Sequence, residues 1–201
     1  MLVSVAEAFA AEQNGATRIE LCEDIEADGV TPNDQLIQSC LTNLNIPIKI
    51  LIRPRAGNFV YNKNEIETML RSISRCKVIG VQEVVIGALL PNSELDIPLI
   101  TKMASLASPM KVSIHKAIDS TNDPVAATQQ LSKVDHVTGI LTSGGHSTAI
   151  EGAYTIRKMI AAGKGKLEIT AAGKILASNV ETHHQLINAP AYHGRRIVPL
   201  K

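Results

Sequence analysis

The chain has 201 residues, 45% of them hydrophobic, which is enough apolar material for a sizeable core in one domain. Lys+Arg 20 against Asp+Glu 19 give a formal charge of +1, and aromatics make up 2%, so neither a phosphate-tracking surface nor stacking rings are available and nucleic acid is excluded as a partner. No apolar run reaches the length of a membrane span and no basic flank with a signal-type apolar stretch opens the chain, so no membrane association and a cytoplasmic location are expected.

The elements alternate along the chain. Residues 5–14 read as a helix with Gly15 as its cap, and 16–22 as a strand. Pro32 suits a first helical position, and Leu36, Ile37, Cys40, Leu41 and Leu44 fall at helical spacing before a strand that starts at Ile48. Asn62 and Glu65 form a capping-box pattern ahead of the stripe Ile66, Met69, Leu70, Ile73 and Cys76, which Gly80 closes. A strand over 81–89, a helix over 97–107 and a strand over 111–115 follow, and then a helix begins at Asp123-Pro124.

The second half keeps the alternation. It reads as a strand over 137–142 ending in Ser143-Gly144-Gly145, a helix with apolar face Ile150, Ala153, Ile156, Met159 and Ile160 closed by Gly163, a strand over 166–171, a helix over 179–188 and a short strand over 192–198. Residues 1–4 supply a candidate eighth strand. An α/β fold of the (β/α)8 TIM-barrel type is expected, with an open doubly wound sheet as the rival because strand count does not give strand order.

Polarity at alternate strand positions points to a barrel with a polar lining. Arg18, Glu20 and Cys22 share one face, as do Ser113 with His115 and Glu168 with Thr170, while Ile19, Leu21, Val112, Ile114, Leu167 and Ile169 occupy the other. Buried charges on the inner face require partners. At the end of the Ile48 strand, Arg53 and Arg55 share parity and read as a preformed anion site, with Lys116 and the turn donors of Ser143 and Gly144 as further contributors. His115 and Glu20 are candidates for acid and base on a phosphorylated or carboxylated metabolite.

The three cysteines are odd in number and lack CxxC spacing, which argues against a disulfide framework and against structural zinc. Cys40 and Cys76 lie on apolar helix faces and read as core, whereas Cys22 lies on the polar face at a strand's carboxyl end. The neighbouring histidines His183 and His184 point in different directions on a helix and read, with His146, as surface groups.

Four segments carry a family resemblance: Arg18-Ile19-Glu20-Leu21-Cys22, Ile52-Arg53-Pro54-Arg55-x-Gly57-x-Phe59, His115-Lys116-Ala117-Ile118-Asp119 and Leu141-Thr142-Ser143-Gly144. In order and spacing they resemble the signature segments of the CutC copper homeostasis family, over nearly the whole chain. The resemblance implies a β/α barrel in the cytoplasm, copper binding, copper tolerance and a homo-oligomer. Cu(I) prefers soft ligands, so Cys22 is the candidate metal residue, completed by His115 or a partner subunit. The chain departs from the family pattern at Lys116, at Asn58 and at Ala171-Ala172-Gly173-Lys174. The family's first strand with its cysteine is expected to be largely missing, and a closing helix absent.

Overall fold

The computed structural model describes residues 1–198. Along them helix and strand alternate: α1 (Val5–Gln13), β1 (Ile19–Leu21), α2 (Asp34–Asn43), β2 (Ile48–Leu51), α3 (Lys63–Ile79), β3 (Glu83–Ile86), α4 (Ile97–Ala107), β4 (Lys111–Ile114), α5 (Pro124–Leu131), β5 (Val137–Thr142), α6 (Ala153–Gly163), β6 (Glu168–Ala172), α7 (Val180–Ile187) and β7 (Ala191–His193). Short 3₁₀ turns, Ile25–Ala27 and Lys116–Ser120, follow β1 and β4.

Side-chain caps set where the helices begin. Asn62 and Glu65 form the expected capping box at the start of α3, and the carboxylate of Asp123 accepts from the backbone N–H groups of Val125 and Ala126 at the start of α5. Gly80 ends α3 at φ 92°, a left-handed position that costs glycine nothing. The strands after α1, α3 and α7 are shorter than the sequence reading, at Ile19–Leu21, Glu83–Ile86 and Ala191–His193, and helix ends shift as well. Asn33, not the proline before it, starts α2, because its side chain accepts from Leu36 N–H; Pro32 lies outside the helix. Gly163 is the last helical residue of α6, and Lys164 takes the left-handed cap at φ 51°.

The seven strands are all parallel and lie in chain order, β1 to β7, so the order never reverses and the doubly wound alternative is ruled out. The sheet curls as a TIM-type barrel. At its β1 edge the expected eighth strand shrinks to one parallel bridge, Leu2 to Leu21, since Ser4 already caps α1. Among the described residues no backbone ladder joins Leu2 to β7, although Met1 N lies 3.3 Å from His193 Nε2.

Outward-facing Ile19, Leu21, Ile50, Val84, Ile114 and Ile169 are buried against apolar helix faces that include Ile37, Met69, Ile73, Met103 and Met159. The inward face is polar and internally paired. Arg18 meets Glu168 at 2.5 Å, Lys49 meets Glu83 at 2.6 Å, and Ser113 Oγ donates to that same Glu83 while lying 3.1 Å from Lys49 Nζ. These pairs supply the partners that half-buried charge requires and leave Glu20, in register with Lys49 on the neighbouring strand, without a lysine or arginine within 4.0 Å among the described residues.

Candidate functional site

A cleft of ≈ 360 Å³ opens at the carboxyl ends of the strands, lined by Glu20, Asp28, Leu51, Arg53, Gly57, Phe59, His115, Lys116, Asp119, Ser120 and Leu141, with Met1 at its edge. This is the face on which β/α barrels place their chemistry. It brings together Glu20, Arg53, His115 and Lys116 of the residues singled out from sequence. Arg55, Ser143, Gly144 and Cys22 do not line it.

Arg53 is 4% exposed, and its guanidinium is engaged by the backbone. One terminal nitrogen donates to the carbonyls of Ala27, Asp28 and Gly29 at 3.0, 3.1 and 2.9 Å, and the other to Gly57 at 2.9 Å. The planar fork thus ties the loop after β1 to the loop after β2. Arg55 turns away, because β2 ends at Leu51 and Pro54 interrupts the chain between the two arginines. It pairs with Glu65 of α3 at 2.6 Å, donates to the carbonyls of Ala56, Asn58 and Val60, and lies over the Tyr61 ring. Equal parity therefore does not make the two arginines converge.

The turn donors are engaged as well. Asp119 projects from the turn after β4 and accepts from the backbone N–H of Ser143 at 2.8 Å, the backbone N–H of Gly145 at 3.0 Å and the Thr142 hydroxyl, with the Ser143 hydroxyl 2.9 Å away. Gly144 N–H donates to Thr142 Oγ1 at 2.8 Å. Gly144 and Gly145, at φ 71° and 77°, hold the concave backbone that makes such a nest, and a carboxylate of this chain occupies it. Lys116 Nζ lies 3.8 Å from the same carboxylate.

His115 is 5% exposed and ends β4 as the cap of the following turn, accepting from Ala117 N–H at its Nδ1, 3.1 Å away. With that lone pair engaged, the proton of the neutral ring resides on Nε2. Burial, helped by the Arg53 charge, pushes the imidazole down to about 3, so it is neutral at physiological pH. Gly87 makes room for the ring: a Cβ there would sit 2.5 Å from it. Glu20 is 7% exposed, and among the described residues the one basic group within 4.0 Å is His193 Nδ1, at 4.0 Å, whose imidazole burial keeps neutral. Burial raises its carboxyl above the ordinary range, against the pull of the Met1 ammonium and Lys49.

Cys22 lies beneath the cleft. It is 0% exposed and packs with Leu51 and Val85, and burial pushes its thiol up to about 11. Copper, the ion implied by the resemblance, prefers a thiolate with a second converging soft ligand. Here the thiol is protonated and apolar in its surroundings, His115 has no free lone pair, and no group of three His, Cys, Asp or Glu converges among the described residues. The residues do not fit a resident copper centre. Cys40 and Cys76 are core residues, as read from the sequence; His183 is 8% exposed, its Nδ1 against Asn179 O, so it is a buried group instead of a surface one. Asp119, Phe59 and Gly87 were missed as site residues. Asp119 falls within a signature segment, and a carboxylate able to reach a Ser-Gly-Gly turn is the signal that could have found it.

Against known proteins, the CutC family model matches residues 2–197. A CutC family protein of Xylella fastidiosa is 37% identical over 191 residues, covering 95% of this chain and 71% of that protein. The human copper homeostasis protein cutC homolog is 34% identical over 190 residues, covering 94% and 70%. The crystal structure of CutC from Streptococcus agalactiae superposes with a TM-score of 0.86 at 28% identity, over 90% of each chain. A dihydrodipicolinate synthase from Bacillus anthracis, at TM-score 0.65 and 12% identity over 94% of this chain and 62% of that one, shares the barrel fold.

Proposed function

This chain belongs to the CutC family, and from that premise we propose that it serves copper homeostasis in the cytoplasm, raising copper tolerance with copper as a cargo in place of a resident cofactor. The observation that carries this reading is the family match over residues 2–197, together with human and mouse relatives named for copper homeostasis. No helix among the described residues is long and apolar enough to cross a membrane.

Copper taken up by this chain is Cu(I) held weakly on Cys22, the one thiol at a strand's carboxyl end. Gly29, whose Cβ would lie 3.3 Å from the sulfur, belongs to the loop that covers it, so that loop has to open first. A second soft ligand has to come from outside the chain, and another copy in a homo-oligomer is one source. The test pairs copper tolerance of cells lacking and regaining the protein with Cu(I) competition titrations of wild type and Cys22→Ser. Restored tolerance with weak binding that Cys22→Ser abolishes is the expected result; unchanged tolerance, or tight copper in Cys22→Ser, overturns it.

A further inference from the structure

Two buried N–H groups in the cleft wall have no hydrogen-bond acceptor among the described residues: Nε of Arg53 and Nε2 of His115. Each such orphan is costly relative to a satisfied donor, so two of them among the residues of one cleft call for an explanation. Phe59 lies against both. Its ring centroid is 4.8 Å from that of His115, tilted by 39°, and 5.2 Å from the Arg53 guanidinium carbon. An aromatic face is a poor substitute for an oxygen acceptor. Phe59 also stands in the irregular segment between β2 and α3, half-buried at the edge of the core and with its carbonyl held by Leu89 N–H at 2.9 Å, where its ring can move without breaking a strand ladder.

We infer that the cleft binds a small uncharged molecule carrying hydroxyl or carbonyl oxygens, one of which takes the His115 Nε2 proton in a hydrogen bond when the Phe59 ring moves aside.

The chemistry of the wall selects this class. An anion finds no free fork, since both terminal nitrogens of Arg53 are held by carbonyls and Asp119 fills the turn nest. It would also meet the carboxylates of Glu20, Asp28 and Asp119. A metal ion finds no lone pair on His115, whose Nδ1 is engaged by Ala117 and whose Nε2 carries the proton. A cation would approach the Arg53 guanidinium and a donor N–H. An uncharged oxygen meets none of these obstacles. Glu20, which makes no hydrogen bond through its carboxyl among the described residues, is available to accept from a second hydroxyl or, when protonated, to donate to a carbonyl. The opening of ≈ 360 Å³ is in the range of small-ligand sites.

The experiment follows the ring nitrogens of His115 by long-range proton–nitrogen NMR while erythritol, dihydroxyacetone, glycolate or inorganic phosphate is added to the full chain. The expected result is a saturable shift of the Nε2 signal with erythritol or dihydroxyacetone and none with phosphate or glycolate. Phe59→Ala, which removes the cover, should tighten that binding by about threefold or more because the open form is no longer a minor state. His115→Gln, which keeps an N–H near the same place, should retain binding seen by ligand-observed NMR, and His115→Phe should lose it. No saturable response to either uncharged probe in wild type and in Phe59→Ala overturns the proposal and leaves water as the acceptor. A larger response to phosphate or glycolate also overturns it. Phe59→Ala keeps the test decisive if the His115 variants fail to fold.

Discussion

Ser143 donates its backbone N–H to the Asp119 carboxylate at 2.8 Å, across 24 residues of chain, so the nest at the end of β5 is occupied by the protein itself. Gly145 N–H and the Thr142 hydroxyl complete the arrangement. Asp119→Ala removes the acceptor and leaves these donors facing one another. The expected loss is about 3 kcal/mol, seen as a fall in Tm of roughly 6–12 °C. Sulfate or phosphate should restore part of it beyond a chloride control at matched ionic strength, and should do nothing comparable for the wild type. Equal anion responses in the two proteins would refute the internal-anion reading.

Arg53→Lys keeps the charge but loses the fork that holds four carbonyls from two loops. A stability loss of about 2 kcal/mol in urea unfolding is expected, with phosphate affinity as weak as in the wild type. Unchanged stability would mean that the guanidinium contacts do not matter.

The pH dependence of stability should carry the signature of His115. Its folded pKa of about 3 lies below the ordinary 6.5, so between these values the unfolded chain binds more protons. Stability from this group is complete above pH 6.5 and is lost as pH falls towards 3, at about 1.4 kcal/mol per pH unit within the window. His193, which burial also pushes well below its ordinary value, contributes in the same direction. Glu20 acts oppositely: its raised pKa means the fold prefers the protonated acid, so stability falls as pH rises from 4.5 through the folded value. Urea midpoints against pH should therefore flatten below pH 6.5 in His115→Gln, and Glu20→Gln should be the more stable protein at neutral pH. An unaltered acid slope in His115→Gln counts against a buried neutral ring.

Cys22, Cys40 and Cys76 are 0, 0 and 2% exposed. Burial pushes all three thiols above their usual range, to about 11 for Cys22 and Cys76. At neutral pH, Cys22 and Cys76 of native protein should react with a disulfide reagent more slowly than in denatured protein by about two orders of magnitude or more, the thiolate fraction alone falling that far, and Cys40 should be slowed in the same direction. If Cys22 reacts quickly while the other two stay silent, the loop over it opens often enough to admit copper directly.

Much of the architecture was present in local pattern. The Asn62–Glu65 box, the Asp123-Pro124 start and the apolar stripes each depend on residues within one or two turns of each other, so reading neighbours was enough to place the helices. Period-two polarity in Arg18-Ile19-Glu20 and in Val112-Ser113-Ile114 likewise separated inner from outer strand faces, and the four signature segments identified the family. At Pro32, Gly163 and residues 1–4 the boundary shifted because a competing side chain or cap decided between adjacent positions.

What the sequence alone determined is the alternation of helix and strand and, through the signature segments, the family, because hydrophobic period and capping act over a few residues and every β/α unit repeats them; the strand order that separates a barrel from a doubly wound sheet came from the tertiary structure. Only the tertiary structure decided which partner each charged group took. Arg53 and Arg55 have the same parity, yet one reaches carbonyls 24–26 residues back and the other a glutamate ten residues on. Asp119 fills a nest that the turn sequence offers equally to a ligand, and Cys22 goes under Leu51 although its strand face points to the mouth. Hydrogen bonds to buried charge go to whichever acceptor the folded loops bring within about 3 Å, and that proximity is set by the curl of the sheet, not by spacing along the chain.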